Sequence, residues 1–121
     1  MAFDWKEFLN LARFLEGDTS CQYEEEAAWR SAVSRAYYAA YCYACHFARD
    51  RHGFSLTYTA DDHQEVRRHF RRRGMVDIAA KLDRLRQWRN ECDYRPDTPD
   101  RLPLIVRSAV SRAQEVLNRL A

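Results

Sequence analysis

The run AVSRAYYAAYCYACHFA, residues 32–48, decides the fold. It is apolar on almost every side when wound as a helix. A helix without a broad polar face is buried on several sides, so this one belongs at the centre of a bundle. It is the middle of a longer segment, 22–51. Glu24, Glu25 and Glu26 stand in the first turn, where the helix dipole favours acid, and His52-Gly53 end it. Ala28, Ala32, Ala36 and Ala40 recur four residues apart and make a small-residue face that lets a neighbouring helix come close.

The flanking segments also read as helices. Residues 3–16 carry Phe3, Phe8, Leu11 and Leu15 at helical spacing and stop at Gly17. Residues 60–73 are acidic early and basic late, with Thr59 as the expected cap and Gly74 as the stop. Residues 75–94 place Met75, Ile78, Leu82, Leu85, Arg89 and Cys92 on one stripe. Pro96, Pro99 and Pro103 mark a loop and the start of a last helix, 101–120, whose stripe is Leu104, Ile105, Ala109, Val110, Ala113, Val116, Leu117 and Leu120. No repeat or linker divides the chain. The expectation is an all-α protein with a single domain over 1–121: an up-and-down bundle of four long helices and a shorter one.

Composition agrees. The chain has 121 residues, 46% hydrophobic, with only 3 Gly and 3 Pro, which excludes loop-rich and low-complexity classes. No apolar run approaches the roughly 18 residues of a membrane span. The acidic, amphipathic start lacks the features of a signal peptide, so a cytoplasmic location and no membrane partner are expected. Four cysteines (Cys21, Cys42, Cys45, Cys92) in so Gly- and Pro-poor a chain read as free, mostly buried thiols.

The net charge of +2 conceals polarity: residues 1–26 carry two basic and seven acidic side chains, and residues 67–95 carry ten basic and four acidic. Arginine supplies 18 of the 20 basic residues, which suits bidentate recognition of phosphate or carboxylate and is equally what a GC-rich genome produces.

Four groups are candidate sites. The first surrounds Arg89, a cation on an otherwise apolar stripe, where a guanidinium without partners is expensive. Asp93 lies four residues on, Asn90 and Tyr94 are an i, i+4 pair, and Arg86 is one turn back. A structural Arg89–Asp93 pair, or an arginine that reaches out to solvent, is the competing reading. The second group, Cys42-Tyr43-Ala44-Cys45-His46, fits the c-type haem attachment pattern. It lies inside an apolar helix, with no second axial ligand and no further Cys/His pair at zinc spacing, so packing is expected, with no metal and no cofactor. The third is the basic run Arg67, Arg68, His69, Phe70, Arg71, Arg72 and Arg73, a phosphate-attracting patch or a solvated helix end. No helix-turn-helix or zinc-finger pattern accompanies it. The fourth is Tyr37, Tyr38, Tyr41 and Tyr43 with Arg30, Ser34 and Arg35 alongside, aromatic packing that arginines favour.

The strings RSAVSRAYYAAY (30–41) and RNECDY (89–94) resemble the small prokaryotic branch of the HEPN family (higher eukaryotes and prokaryotes nucleotide-binding), which has an SRAYYAA helix followed by an RN-x-x-DY helix. The likeness runs from the second helix to the end. It implies a four- or five-helix up-and-down bundle that pairs as a symmetric homodimer. It also implies an RNA-binding, metal-independent endoribonuclease of a toxin–antitoxin or defence module, often partnered by a minimal nucleotidyltransferase antitoxin. The family's nuclease motif is Arg, a polar residue, three to five more, then His. Arg89 and Asn90 match it, but Tyr94 stands where histidine is expected, and a phenol is a poorer base near neutral pH. The resemblance thus points to Arg89, Asn90, Asp93 and Tyr94 as the reaction site. Arg35, Arg67, Arg68, Arg71, Arg72, Arg73 and Arg86 are the expected RNA contacts. The alternative is a non-catalytic helical dimer that binds a nucleotidyltransferase partner or a nucleotide.

Overall fold

A computed structural model describes residues 2–20 and 22–121, and within them the chain is all-helical. The helices are α1 (Lys6–Glu16), α2 (Glu25–His52), α3 (Asp61–Arg72), α4 (Val76–Tyr94) and α5 (Leu102–Leu120). Three are long and two short, at 28, 19 and 19 residues against 11 and 12, so the expected fourth long helix is absent. Cys21 lies outside the described residues. Among those described, no helix is long and apolar enough to cross a membrane.

The central position read from residues 32–48 is observed. α2 packs against all four other helices. Ala28, Ala32, Ala36 and Ala40 are all buried, Ala44 and Ala48 continue the series, and Ala39 is added from a neighbouring face. Small side chains let several helices approach one axis, and Tyr37, Phe70, Ile78, Leu82 and Leu85 fill the space left between them.

Two stripes are shifted. On α1 the core residues are Leu9 and Ala12, with Phe8 and Leu15 packed against them, while Leu11 and Phe3 face outward. On α5, Leu104 is half exposed, and Leu102 and Val106 are buried instead. On α1 the stripe is displaced by one residue, Ala12 for Leu11, and on α5 Leu104 gives way to residues two positions to either side.

The stops follow backbone chemistry. Gly53 and Gly74 adopt the left-handed conformation (φ +68° and +77°) that side chains resist, and the Met75 amide then reaches back to the Phe70 carbonyl at 2.8 Å. Gly17 ends α1 without it, at φ −100°. Thr59 does not cap α3 through its side chain. Its hydroxyl meets that of Thr57 at 2.7 Å, and the loop is tied down by Asp62. The Asp62 carboxylate accepts from the Thr57 amide (3.0 Å), the Thr57 hydroxyl (2.7 Å) and the Tyr58 amide (2.8 Å). Burial alone would raise the Asp62 pKa, but these hydrogen bonds from Thr57 and Tyr58 outweigh it and hold the carboxyl below its ordinary value. The same bonds hold Tyr58 at φ 59°, a left-handed conformation that a tyrosine adopts only under constraint.

Candidate functional site: an arginine cluster between α2, α3 and α4

The two sequence strings meet across the α2–α4 contact. A helix leaves its last carbonyls without internal partners, and α4 has no basic residue in its last turn. Arg30 of α2 supplies donors to that end and to the loop beyond it. It donates to the carbonyls of Cys92 (2.8 Å), Arg95 (2.8 Å) and Asp97 (2.9 Å), and its Nε to Glu26 (2.8 Å). Glu26 also accepts from the Thr98 hydroxyl at 2.7 Å. One turn further along α2, Ser34 donates to Asp93 at 3.1 Å. The end of α4 is therefore fixed to α2 by three polar side chains before any ligand is considered.

Held this way, α4 turns Arg89 inward, where it is 9% exposed. Its guanidinium carbon lies 5.2 Å from the ring centroid of Tyr37, 5.5 Å from Tyr38 and 5.5 Å from Tyr94. Nη1 donates to the hydroxyls of Tyr38 (3.3 Å) and Tyr94 (3.1 Å). The expected structural pair with Asp93 is not formed, because Asp93 is held by Ser34, and among the described residues no carboxylate forms an ion pair with Arg89. The expected Asn90–Tyr94 pair is likewise absent, since the Tyr94 hydroxyl is turned to Arg89. Three aromatic faces at about 0.5–2 kcal/mol each offset part of the burial cost of the cation. They leave its Nε–H buried and without an acceptor.

Arg67 and Arg86 repeat this condition. Arg67 of α3 is as buried as Arg89; its Nη1 donates to the His63 carbonyl at 2.9 Å, and its Nε sits 3.6 Å from Asp83, close enough to pair but not to hydrogen-bond. Arg86 donates through Nη2 to the same Asp83 at 3.2 Å. The Nε–H groups of Arg67, Arg86 and Arg89 are all buried and unsatisfied. Burial, with repulsion from Arg86, depresses the Arg67 pKa. Arg67 and Arg86 thus share one carboxylate and Arg89 has none, an excess of positive charge in a poorly solvated place.

His63 was not a candidate in the sequence, and the structure brings it to this cluster. Its Nδ1 is hydrogen-bonded to the Tyr37 hydroxyl, and its ring stacks on Tyr41 with centroids 4.0 Å apart and planes 2° from parallel. Burial first, then the charges of Arg89, Arg67 and Arg86, hold its pKa below the ordinary 6.5 against a weaker opposite pull from Asp62. Burial also pushes the Tyr37 and Tyr41 phenols up, so both stay protonated. The available signal was spacing: His63 lies four residues before Arg67, on the same face of α3.

The other predicted contacts are dispersed. Arg35 lies over the rings of Phe8 (4.8 Å) and Tyr38 (5.1 Å), on the same aromatic row as Arg89. The 67–73 run is divided: Arg67 points inward, Phe70 is core, Arg68 pairs with Glu65 at 3.0 Å, and Arg71, Arg72 and Arg73 are exposed. Asn90 is half-buried, outside the network that holds Arg89. Cys42, Cys45 and His46 do not converge on a metal: the His46 Nδ1 is bonded to the Cys42 carbonyl at 2.8 Å, and His46 stacks on Trp5. Among the described residues no group of three or more His, Cys, Asp or Glu is placed to hold a metal ion. Burial pushes the free thiols of Cys42, Cys45 and Cys92 up to about 11, 12 and 11, so they are unreactive protonated packing groups.

Comparisons with family models, curated proteins and solved structures give no match to this chain.

Proposed function

We propose that this protein is a HEPN-like RNA-binding protein of toxin–antitoxin or defence type, and that Arg67, Arg86 and Arg89 hold the phosphodiester backbone. The observation that supports this best is the set of three buried Nε–H groups without acceptors, on Arg67 and Arg86, which share one carboxylate, and on Arg89, which has none. Buried cations in this state call for an anion, and phosphate offers several acceptor oxygens to several guanidiniums at once. The neighbouring tyrosines suit single-stranded RNA, whose unpaired bases stack on aromatic rings. A two-fold homodimer would duplicate the cluster and concentrate its field on one strand. In the metal-independent cleavage that the resemblance implies, Arg89 would neutralise charge gathering on phosphate in the transition state, with Asn90, Asp93 and Tyr94 as its surroundings.

The test is fluorescence-anisotropy binding of a single-stranded RNA, paired with a nuclease assay and a growth-arrest assay on expression. Arg89→Ala is expected to weaken RNA binding at least about tenfold, the loss of one buried charge-assisted contact. It is also expected to flatten the dependence of log K on log salt by about 0.7. Unchanged binding and activity in that variant would remove Arg89 from the function.

The second reading, a non-catalytic helical dimer serving a nucleotidyltransferase partner or a nucleotide, has one observation in its favour. Tyr94 occupies the histidine position of the motif, and its hydroxyl already accepts from Arg89. RNA recovered intact from a tight complex, with a nucleotidyltransferase co-purifying, is the result that favours it.

A further inference from the structure

Beside the arginine cluster, across Tyr41 and His63, a cavity of about 400 Å³ opens between the start of α1, the middle of α2 and the loop before α3. That volume is in the range of small-ligand sites. Its walls are two stacked aromatic pairs: Trp5 on His46 (centroids 5.4 Å apart, planes at 11°) and Tyr41 on His63. Cys45 and Leu56 add apolar surface.

Of the polar groups in these walls, Asp62 and Thr59 are engaged with the loop residues Thr57 and Tyr58, and the two imidazoles keep one nitrogen each. His46 and His63 each use Nδ1, toward the Cys42 carbonyl and the Tyr37 hydroxyl, and neither Nε2 has a partner among the described residues. With its Nδ1–H donated to Cys42, a neutral His46 presents Nε2 as an acceptor. His63 presents a donor or an acceptor according to its tautomer. Flat apolar walls with two unused imidazole nitrogens match a planar heteroaromatic ring that is polar only at its edge.

The cavity is also continuous with the cluster. Tyr38, which accepts from Arg89 and lies under Arg35, packs edge-on against both Tyr41 (6.4 Å) and His63 (6.3 Å). Tyr38, Tyr41, Cys42 and His63 are all partly exposed, so a surface row runs from the guanidinium to the cavity. We propose that this cavity is a nucleobase pocket, which takes the base of a nucleotide whose phosphate lies at the Arg89 end of the row. The pairing of base with phosphate rests on the RNA reading above, whereas the pocket itself does not. The depressed pKa of His63, caused first by burial and then by Arg89 and Arg67, keeps its ring uncharged against the base.

The probes are adenosine, adenosine 5′-monophosphate and inorganic phosphate, titrated by calorimetry and by tryptophan fluorescence, to which Trp5, Trp29 and Trp88 contribute. Adenosine is expected to bind, and the monophosphate to bind roughly tenfold more tightly than phosphate, as one aromatic stacking interaction supplies. Thr59→Trp, at the exposed rim, and Cys42→Phe, in the α2 wall, narrow the cavity from opposite sides. Both are expected to abolish adenosine binding and reduce the monophosphate to the affinity of phosphate, with phosphate binding unchanged. Arg89→Ala is expected to weaken phosphate and monophosphate but leave adenosine as it was. Failure of adenosine to bind the wild-type protein, or its undiminished binding to both narrowed variants, overturns the pocket. Binding of adenosine without phosphate or RNA would overturn the RNA reading and leave a nucleoside pocket.

Discussion

Arg30 and Arg89 enter the same α2–α4 contact from opposite helices, and their surroundings differ in kind. Arg30 donates from all three guanidinium nitrogens to one carboxylate and four backbone carbonyls. Arg89 donates from one nitrogen to two phenols, lies against three rings, and keeps a buried Nε–H unbonded. The first arginine is saturated and closes a helix end. The second is surrounded by groups that tolerate a cation without neutralising it. Buried charge alone therefore does not identify a binding residue, and the count of acceptors around it does.

The contrast breaks most visibly in stability. Arg30→Ala leaves carbonyls at the end of α4 and in the loop after it without their donor and should cost about 2–4 kcal/mol in urea unfolding. Arg89→Met replaces an under-paired cation by an apolar chain of similar length and should stay within about 1 kcal/mol of the wild type. Equal losses in the two variants would abolish the distinction.

A smaller effect concerns pH. Folding depresses the pKa of His63, so the unfolded chain takes up this proton first as pH falls. Stability is therefore fully present above about 6.5 and declines below it until the folded-state pKa is passed. The groups facing the imidazole are Tyr37, Tyr38 and Tyr41 on α2, Asp62 and Arg67 on α3, and Arg86 and Arg89 on α4. His63→Gln should flatten part of that decline in thermal melts between pH 5 and 7 (about one proton's share). His52 and His69, depressed by burial as well, retain the rest. Smallest is Tyr94→Phe, which removes one of the two phenol acceptors of Arg89. A change in RNA affinity of about threefold or less is expected, because Tyr94 is 71% exposed and water can take the place of its hydroxyl as acceptor. A much larger loss would place the Tyr94 hydroxyl on the RNA itself.

Much of this architecture is legible in the sequence because it rests on periodicity. The all-round apolar character of residues 32–48 predicts the central helix, and the stripe of residues 75–94 predicts that Arg89 is buried. What Arg89 touches was not legible. An i, i+4 spacing makes Asp93 its natural partner, yet tertiary contact with Ser34 takes that carboxylate away. His63 is hard to find for a similar reason: most of its environment is made by α2 and α4, and within α3 only its spacing from Arg67 marks it. The basic run 67–73 reads as one patch along the chain, but a helix sends neighbours to different faces, so only Arg67 reaches the cluster.

The fastening of α4 by Arg30 has a consequence for engineering. Residues 86–94 grafted onto another helical scaffold would arrive without the carbonyl donor that fixes their end, the serine that diverts Asp93 and the two tyrosines that cradle Arg89. The unit that can be transplanted is two helix segments in register, 26–41 with 83–98, together with the α3 segment 62–67 that carries His63 and Arg67, and a copied peptide would carry the letters of the site but not its chemistry.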